Sequence, residues 1–218
     1  MRRPRHPRLI LASASPRRAG ILRDAGFSFR TLPASVDESP RPGESPRKLV
    51  ARLAREKALA AASRAAGRTV ILGADTEVVV GRRILGKPAS SADARRMLRL
   101  LAGKTHKVLT GIAVLQLTYG ARSARKFSAV ESTRVTFAPL SAREIDAYVA
   151  TGEPMGKAGA YAIQGRAAKF VTRIEGCYFN VVGLPLARLY RILRKAGLEQ
   201  FAVKHKRRPK SSGRRKNL

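Results

Sequence analysis

Apolar residues run along this chain in two rhythms: unbroken or alternating stretches that suit strands, and three-to-four-residue spacing that suits helices. The stretch Val70-Ile71-Leu72-Gly73-Ala74-Asp75-Thr76-Glu77-Val78-Val79-Val80 is almost wholly apolar and β-branched, which predicts a buried strand. It nevertheless carries two carboxylates, Asp75 and Glu77. Successive strand side chains point to opposite faces, so these two share one face if the strand is unbroken. A buried strand does not carry acids cheaply. Either the strand has emerged at a sheet edge with both acids in water, or its acidic face lines a cleft that holds cations.

The same patterns divide the remaining chain. Residues 9–12 read as a first strand. Ser15 then suits an N-cap and Pro16 a first helical position, opening a helix that runs to about residue 25 and stops at Gly26. Residues 27–32 read as a second strand, and 33–45 as a Pro- and Ser-rich loop holding Asp37 and Glu38. Ser45-Pro46 opens a long helix over 46–66, with Leu49, Leu53 and Lys57 on one stripe and Gly67 as its stop. After the acidic strand come a turn at 81–83, Ile84-Leu85, and Gly86-Lys87-Pro88, a shaped turn that cannot continue a regular element. Ser91 caps a helix over 92–101. Residues 107–117 and 127–138 read as strands joined by a turn at 118–122. Ser141 to Glu144 forms a capping box opening a helix to about residue 150. Residues 152–159 read as a glycine-bearing loop, 160–165 as a short strand, 169–174 with 177–182 as a hairpin, and 184–196 as an amphipathic last helix. Strands and helices mix without strict alternation and no internal repeat is visible, so the expected fold is α/β (mixed α+β).

Candidate chemistry gathers around two turns. The strand, small-residue turn and helix start at Ser13-Ala14-Ser15-Pro16-Arg17-Arg18 offer free backbone N–H groups to an anion. Basic residues early in a helix oppose its dipole, so a bound anion would account for Arg17 and Arg18; simple solvent exposure in an arginine-rich chain would too. Lys57 either snorkels along the apolar stripe or reaches a phosphate. His106 has no second His or Cys at ligand spacing and reads as structural. Tyr161 and Phe179 read as core, and Cys177 as a buried small apolar residue.

Composition narrows the class. The chain has 218 residues, 45 basic and 14 acidic, for a formal net charge of +31. Twelve of the basic residues lie in 1–8 and 204–218, where there is no acid, and the middle is still strongly cationic without them. Such a surface attracts polyanions: nucleotides, nucleic acid or anionic lipid. No apolar run reaches membrane-spanning length, and the apolar segment behind the basic start is too short for a signal peptide. One cysteine makes no internal disulfide and suits a reducing compartment, so a cytoplasmic protein with no membrane contact is expected. Residues 1–8 and 204–218 read as basic disordered arms flanking one domain over 9–203. The second arm is a possible contact for nucleic acid, though it lacks aromatics for base stacking.

Taken together, Ser13-x-Ser15-x-Arg17-Arg18, Glu38 with Lys57, Asp75-Thr76, Gly86-Lys87-Pro88, the run Ala158-Gly159-Ala160-Tyr161-Ala162-Ile163-Gln164-Gly165 and Asn180-Val181-Val182-Gly183-Leu184-Pro185 closely resemble the Maf family of nucleoside triphosphate pyrophosphatases. The resemblance runs from about Leu9 to about Leu198. It implies a fold akin to the inosine triphosphate pyrophosphatases, with a twisted mixed sheet, flanking helices and a central cleft. It implies cleavage between the α and β phosphates, a divalent metal (magnesium or manganese), a homodimer, and Asp75 as proton acceptor. Arg17, Thr76 and Gln164 match the family's dTTP/UTP branch; the branch acting on 7-methyl-GTP has an aromatic, a glutamine and a glutamate at those places. On this reading Ser13, Ser15, Arg17, Arg18, Lys57, Thr76, Lys87 and Gln164 bind substrate, and Glu38 and Asp75 hold the metal. Glu77 departs from the apolar residue expected there and is a weaker metal ligand. Uracil and thymine present an N–H flanked by carbonyls, an edge that the Gln164 amide matches with one acceptor and one donor.

Overall fold

The computed structural model describes residues 8–65, 67–117 and 125–198. Seven strands form one mixed sheet: β1 (Arg8–Leu11), β2 (Phe29–Thr31), β3 (Thr69–Val80), β4 (Arg83–Leu85), β5 (Thr105–Leu117), β6 (Arg125–Phe137) and β7 (Val171–Glu175). Their order is β2-β1-β3-β5-β6-β7, with β4 paired to the far end of β3. β1 runs parallel to both β2 and β3, while β3, β5, β6 and β7 are successively antiparallel. The helices are α1 (Pro16–Asp24), α2 (Pro46–Ala62), α3 (Ser91–Leu101), α4 (Ala142–Ala150), α5 (Tyr178–Val182) and α6 (Leu186–Lys195).

Capping chemistry sets the helix starts. The Ser15, Ser45 and Ser90 side chains accept backbone N–H groups three residues on, and Ser141 with Glu144 completes the expected capping box. The third helix is thus capped by Ser90, one residue before the expected Ser91. Helix α2 ends at Ala62, earlier than the expected residue 66, because its last turn tightens into bonds such as Arg64 N–H to the Ala61 carbonyl.

The two faces of the sheet are packed differently. Leu9, Leu11, Leu72, Ala74, Val78, Ile112 and Val114 face the main core with α1, α3, α4 and α6. Ile71 and Ala113 face the alanine-rich side of α2 (Ala54, Ala58, Ala61). Helix and sheet approach so closely there that two positions have no room for a side chain. A Cβ on Gly73 would lie 2.1 Å from the Ala54 carbonyl oxygen, and one on Gly111 2.1 Å from that of Val50. This seam brings α2 within lysine reach of the acidic face of β3.

Several expectations are corrected. Residues 160–165 are not a strand. A 3-10 turn, Ala158–Ala160, contains Gly159 and Ala160 at φ 70° and 59°, a left-handed bend that a strand cannot contain. Residues 177–182 do not return as a hairpin strand but form helix α5, despite the β-prone sequence Tyr-Phe-Asn-Val-Val. Tertiary bonds override propensity: fully buried Asn180 donates through Nδ2 to the Val108 carbonyl (2.9 Å) and Thr133 Oγ1 (3.0 Å), and Gly183 at φ 124° ends the helix. As a result Phe179 is 43% exposed rather than core, and Cys177 is half-buried rather than buried. Arg8 belongs to β1, pairing with Thr69, rather than to the basic arm. The rest of that arm, the 118–122 turn and the 204–218 arm lie outside the described residues. No helix among the described residues is long and apolar enough to cross a membrane.

His106 is structural, as expected. It is buried in an edge-to-face aromatic cluster with Phe137 and Tyr161, and its Nε2 is 2.9 Å from the Tyr161 hydroxyl. Burial holds its pKa down, from 6.5 to about 4. The folded protein therefore binds fewer protons than the unfolded chain between those values. Its contribution to stability is complete above pH 6.5 and is lost as the pH falls toward 4, about 3 kcal/mol in all and about 2 of it by pH 5. Urea titrations at pH 7 and pH 5 measure this: His106→Leu narrows the gap in stability between the two by about 2 kcal/mol. An unchanged gap would assign the acid sensitivity to other groups.

Candidate active site

Strand β1 stops where Leu11 pairs with Leu72, whereas β4 joins β3 only from Val78. Between these points β3 has an open edge, and a cleft of about 470 Å³ opens beside it. Ten of the eleven residues nominated from sequence line this one cleft: Ser13, Ser15, Arg17, Arg18, Glu38, Lys57, Asp75, Thr76, Lys87 and Gln164. The eleventh, Glu77, does not. Asp75 and Glu77 share a face as predicted, and the water-exposed edge reading fails for Asp75, which is only 6% exposed.

On the α2 side, charges form a chain. Lys57 Nζ donates to Asp75 Oδ1 and to Glu38 Oε1, each at 2.6 Å, and Lys87 Nζ donates to Glu38 Oε2 at 2.8 Å. Asp75 and Lys57 are buried; Glu38 and Lys87 are open to solvent. Burial works against the charge on Glu38, but the hydrogen bonds from the two lysines outweigh it and hold its pKa at about 2. Among the described residues Asp75 Oδ2 is buried without a hydrogen-bond partner, and so is Glu77 Oε2. Burial, followed by the nearby charges of Asp75 and Glu38, pushes Glu77 up to about 7.

On the opposite face, Arg18 is buried and holds neutral groups only. Its Nε donates to the Gly183 carbonyl (2.8 Å), Nη1 to Ser13 Oγ (3.1 Å) and Nη2 to Thr76 Oγ1 (2.9 Å). Among the described residues no carboxylate pairs with it directly. Burial lowers its pKa, partly offset by the more distant charges of Asp75 and Glu38. Thr76 Oγ1 also contacts Thr110 Oγ1 at 3.0 Å, so this hydroxyl belongs to the buried lattice around Arg18. Such a guanidinium, with its charge uncompensated at close range, favours an anion in the cleft beside it. Arg17, half-buried, faces the same cleft.

The far wall comes from the chain after Gly152. Gln164 is exposed there, at the rim between the main cleft and a smaller hollow beside α1 and Phe179. Lys157 also lines the cleft and was not nominated from sequence. Its ammonium donates to the backbone carbonyls of Glu153 and Met155, while burial and then the charge of Arg17 lower its pKa. The available signal was a second Gly-Lys step, Gly156-Lys157, matching Gly86-Lys87.

No group of three or more His, Cys, Asp or Glu among the described residues is arranged to hold a metal. A magnesium-type site does not need one: such ions use one or two carboxylates and complete their shell with water and substrate phosphate. The partnerless Asp75 Oδ2, with Glu38 one lysine away, fits that donor set.

A family model described as "Maf-like protein" matches residues 8–196. A dTTP/UTP pyrophosphatase of Pelotomaculum thermopropionicum is 53% identical over 189 residues, covering 87% of this chain and 96% of that protein. One from Koribacter versatilis is 52% identical over 190 residues, covering 87% and 95%. Among solved structures, a HAM1 protein from Coxiella burnetii aligns with a TM-score of 0.46 at 16% identity, over 87% of this chain and 100% of that one.

Proposed function

The chain belongs to the Maf-like protein family, and from that premise we propose that it hydrolyses dTTP and UTP to the nucleoside monophosphate and pyrophosphate, with Asp75 as proton acceptor. The observation that carries this is one cleft that collects a buried carboxylate with a free oxygen and cations from both faces of a strand. Relatives named dTTP/UTP pyrophosphatase share about half of its residues along nearly their full length.

The physical reading follows from charge. Negative charge shifts onto the leaving pyrophosphate as the α–β bond breaks, and preorganised cations stabilise it. Arg17, Arg18, Lys57 and Lys87 supply them, with the backbone N–H groups at Ser13–Arg17 cradling phosphate oxygens. In the described protein Lys87 is occupied by Glu38; an incoming triphosphate takes over this exposed lysine. Asp75 Oδ2 orients the attacking water and receives its proton, while Lys57 fixes the carboxylate through Oδ1. A divalent cation, magnesium or manganese, would be held by Glu38 and Asp75 and would supply charge neutralisation at the phosphate oxygens; Glu77, which lies outside the cleft, is not needed for it.

The test is pyrophosphate release from a panel of dTTP, UTP, CTP, GTP and ATP with magnesium. Release of pyrophosphate from dTTP and UTP above the others is expected. Release of inorganic phosphate alone, or no turnover of any nucleotide, would overturn the reading. Base selection is assigned to Gln164, whose amide offers the acceptor and donor that uracil and thymine need. Gln164→Glu is expected to lower kcat/KM for dTTP and UTP by about 100-fold or more, with the melting temperature unchanged. Equal kinetics for both enzymes would remove Gln164 from base reading. A homodimer in the cytoplasm is proposed on family grounds; sedimentation that gives twice the 23.7 kDa chain mass supports the dimer. The alternative, binding of nucleic acid or a division partner through the basic surface and residues 204–218, predicts salt-sensitive affinity that disappears on truncation of those residues, and pyrophosphate release that does not change.

A further inference from the structure

Gln164 has no regular element to hold it. It sits in a turn that follows a left-handed bend, at the exposed rim of the cleft. For an amide to read a base, its backbone must be fixed to within a fraction of an ångström. The group that fixes it is a carboxylate.

Glu153 lies under this turn. Its Oε1 accepts the Tyr148 hydroxyl at 2.9 Å, and its Oε2 accepts the backbone N–H of Arg166 at 3.1 Å. The Ala167 N–H also bonds this carboxylate. Tyr148, buried on α4, in turn accepts the backbone N–H of Ala162 at 3.2 Å. The turn is therefore tied on both sides of Gln164: at 162 through the tyrosine oxygen, and at 166 and 167 through the carboxylate. The contact is close enough to leave no side chain between them. A Cβ on Gly165 would lie 2.4 Å from both Glu153 oxygens, although its backbone, at φ −113°, is one that any residue adopts. A side chain at 165 would push the carboxylate beneath it off its partners; the torsion of the glycine itself makes no such demand. The other end of Glu153 is fixed as well, because its carbonyl accepts the Lys157 ammonium. None of these groups touches Asp75, Lys57 or Lys87.

We infer that Glu153, with Tyr148, is the positioning residue that holds the Gln164 turn in register for base recognition. This rests on the dTTP/UTP reading above and assigns the part of the protein that enforces it. Glu153 contacts no substrate; it acts through Gln164.

The substitution Glu153→Gln keeps the volume but offers one acceptor oxygen, and turns an NH₂ group toward either the Arg166 N–H or the Tyr148 hydroxyl. Toward Arg166 two donors meet; toward Tyr148 the hydroxyl must turn to accept and gives up its own donation; either way the ties to a charged carboxylate are lost and the turn is held less tightly. The expected result is a 10- to 50-fold rise in KM for UTP and dTTP, with kcat within about threefold and the UTP-to-GTP ratio of kcat/KM falling by a similar factor. Gly165→Ala attacks the same contact from the other side, displacing the carboxylate while leaving Glu153 in place, and is expected to lower the same ratio. It keeps the test decisive if Glu153→Gln folds poorly. The third arm is epistasis: in a Gln164→Ala background, Glu153→Gln should change the UTP-to-GTP ratio by less than twofold, because the group it positions is gone.

A uniform fall in kcat for all nucleotides with the ratio intact, or an effect on the ratio that multiplies through in the Gln164→Ala background, would assign Glu153 a merely structural part and overturn the inference. If the unmodified enzyme has no preference for UTP over GTP, the functional reading itself fails. If it has the preference and Glu153→Gln and Gly165→Ala both retain it, only this inference fails.

Discussion

Asp75→Asn eliminates turnover while the protein folds and still binds its nucleotide. The expected fall in kcat is about 1,000-fold or more, the usual scale for loss of a general base together with the charge that orients it. Asparagine keeps the shape, and its amide oxygen still accepts from Lys57, whose other bond, to Glu38, is untouched. Oδ2 is the atom that changes: it is buried and has no hydrogen-bond partner among the described residues, and in the variant it is replaced by an NH₂ group that cannot accept a proton. Removing a negative charge that faces the triphosphate should leave the dissociation constant equal or lower, measured by calorimetry with UTP in the absence of divalent cation, so that the metal-holding role of Asp75 does not enter. Turnover within tenfold of the native enzyme would take Asp75 out of the proton-accepting role, and a lost binding signal would make it a binding group instead.

Gly73→Val, or equally Gly111→Val, is expected to be the most damaging change to the fold. In each, the new Cβ would begin 2.1 Å from a backbone carbonyl oxygen of α2. Backbone cannot rotate away as a side chain tip can, so the helix must lift off the sheet. A loss of more than about 4 kcal/mol is expected, or no soluble folded protein at all. Any Gly73 variant that still folds should have lost activity too, since lifting α2 draws Lys57 from Asp75. Gly20→Ala is the control: nothing lies within 4 Å of its Cβ site, it sits in α1, and a gain of about 0.5–1 kcal/mol is expected there. Native-like denaturation of Gly73→Val would show that the seam is loosely packed.

The site was legible from sequence because its residues sit at places where local chemistry speaks. An acid in a β-branched run, a Ser-Pro helix start followed by two arginines, and a Gly-Lys-Pro turn each conflict with simple burial or simple exposure. A cleft with charge resolves all three. What stayed hidden was set by partners far along the chain. The β-branched residues of Tyr178–Val182 speak for a strand; the bonds of Asn180 to Val108, Thr110 and Thr133, 47 to 72 residues away, hold it as a helix. Phe179 was placed in the core for the same reason. Lys157 carries only the faint signal of a second Gly-Lys step in a basic chain, and its place in the cleft wall is held by the carbonyls of Glu153 and Met155. Glu153 was silent because a lone glutamate in a loop has no pattern at all until the turn above it is seen.

Asp75 and Thr76 are adjacent in the chain, yet the strand sends them to opposite faces: one to Lys57 and α2, the other to Arg18 and α1. The backbone of β3 thus acts as a bulkhead between two compartments that share a single opening. Mutations that retune one compartment need not disturb the other, but inserting or deleting a residue in this strand would exchange their contents wholesale, swapping acid for hydroxyl. Drift in this protein can therefore proceed by substitution along β3 and not by any change in its length.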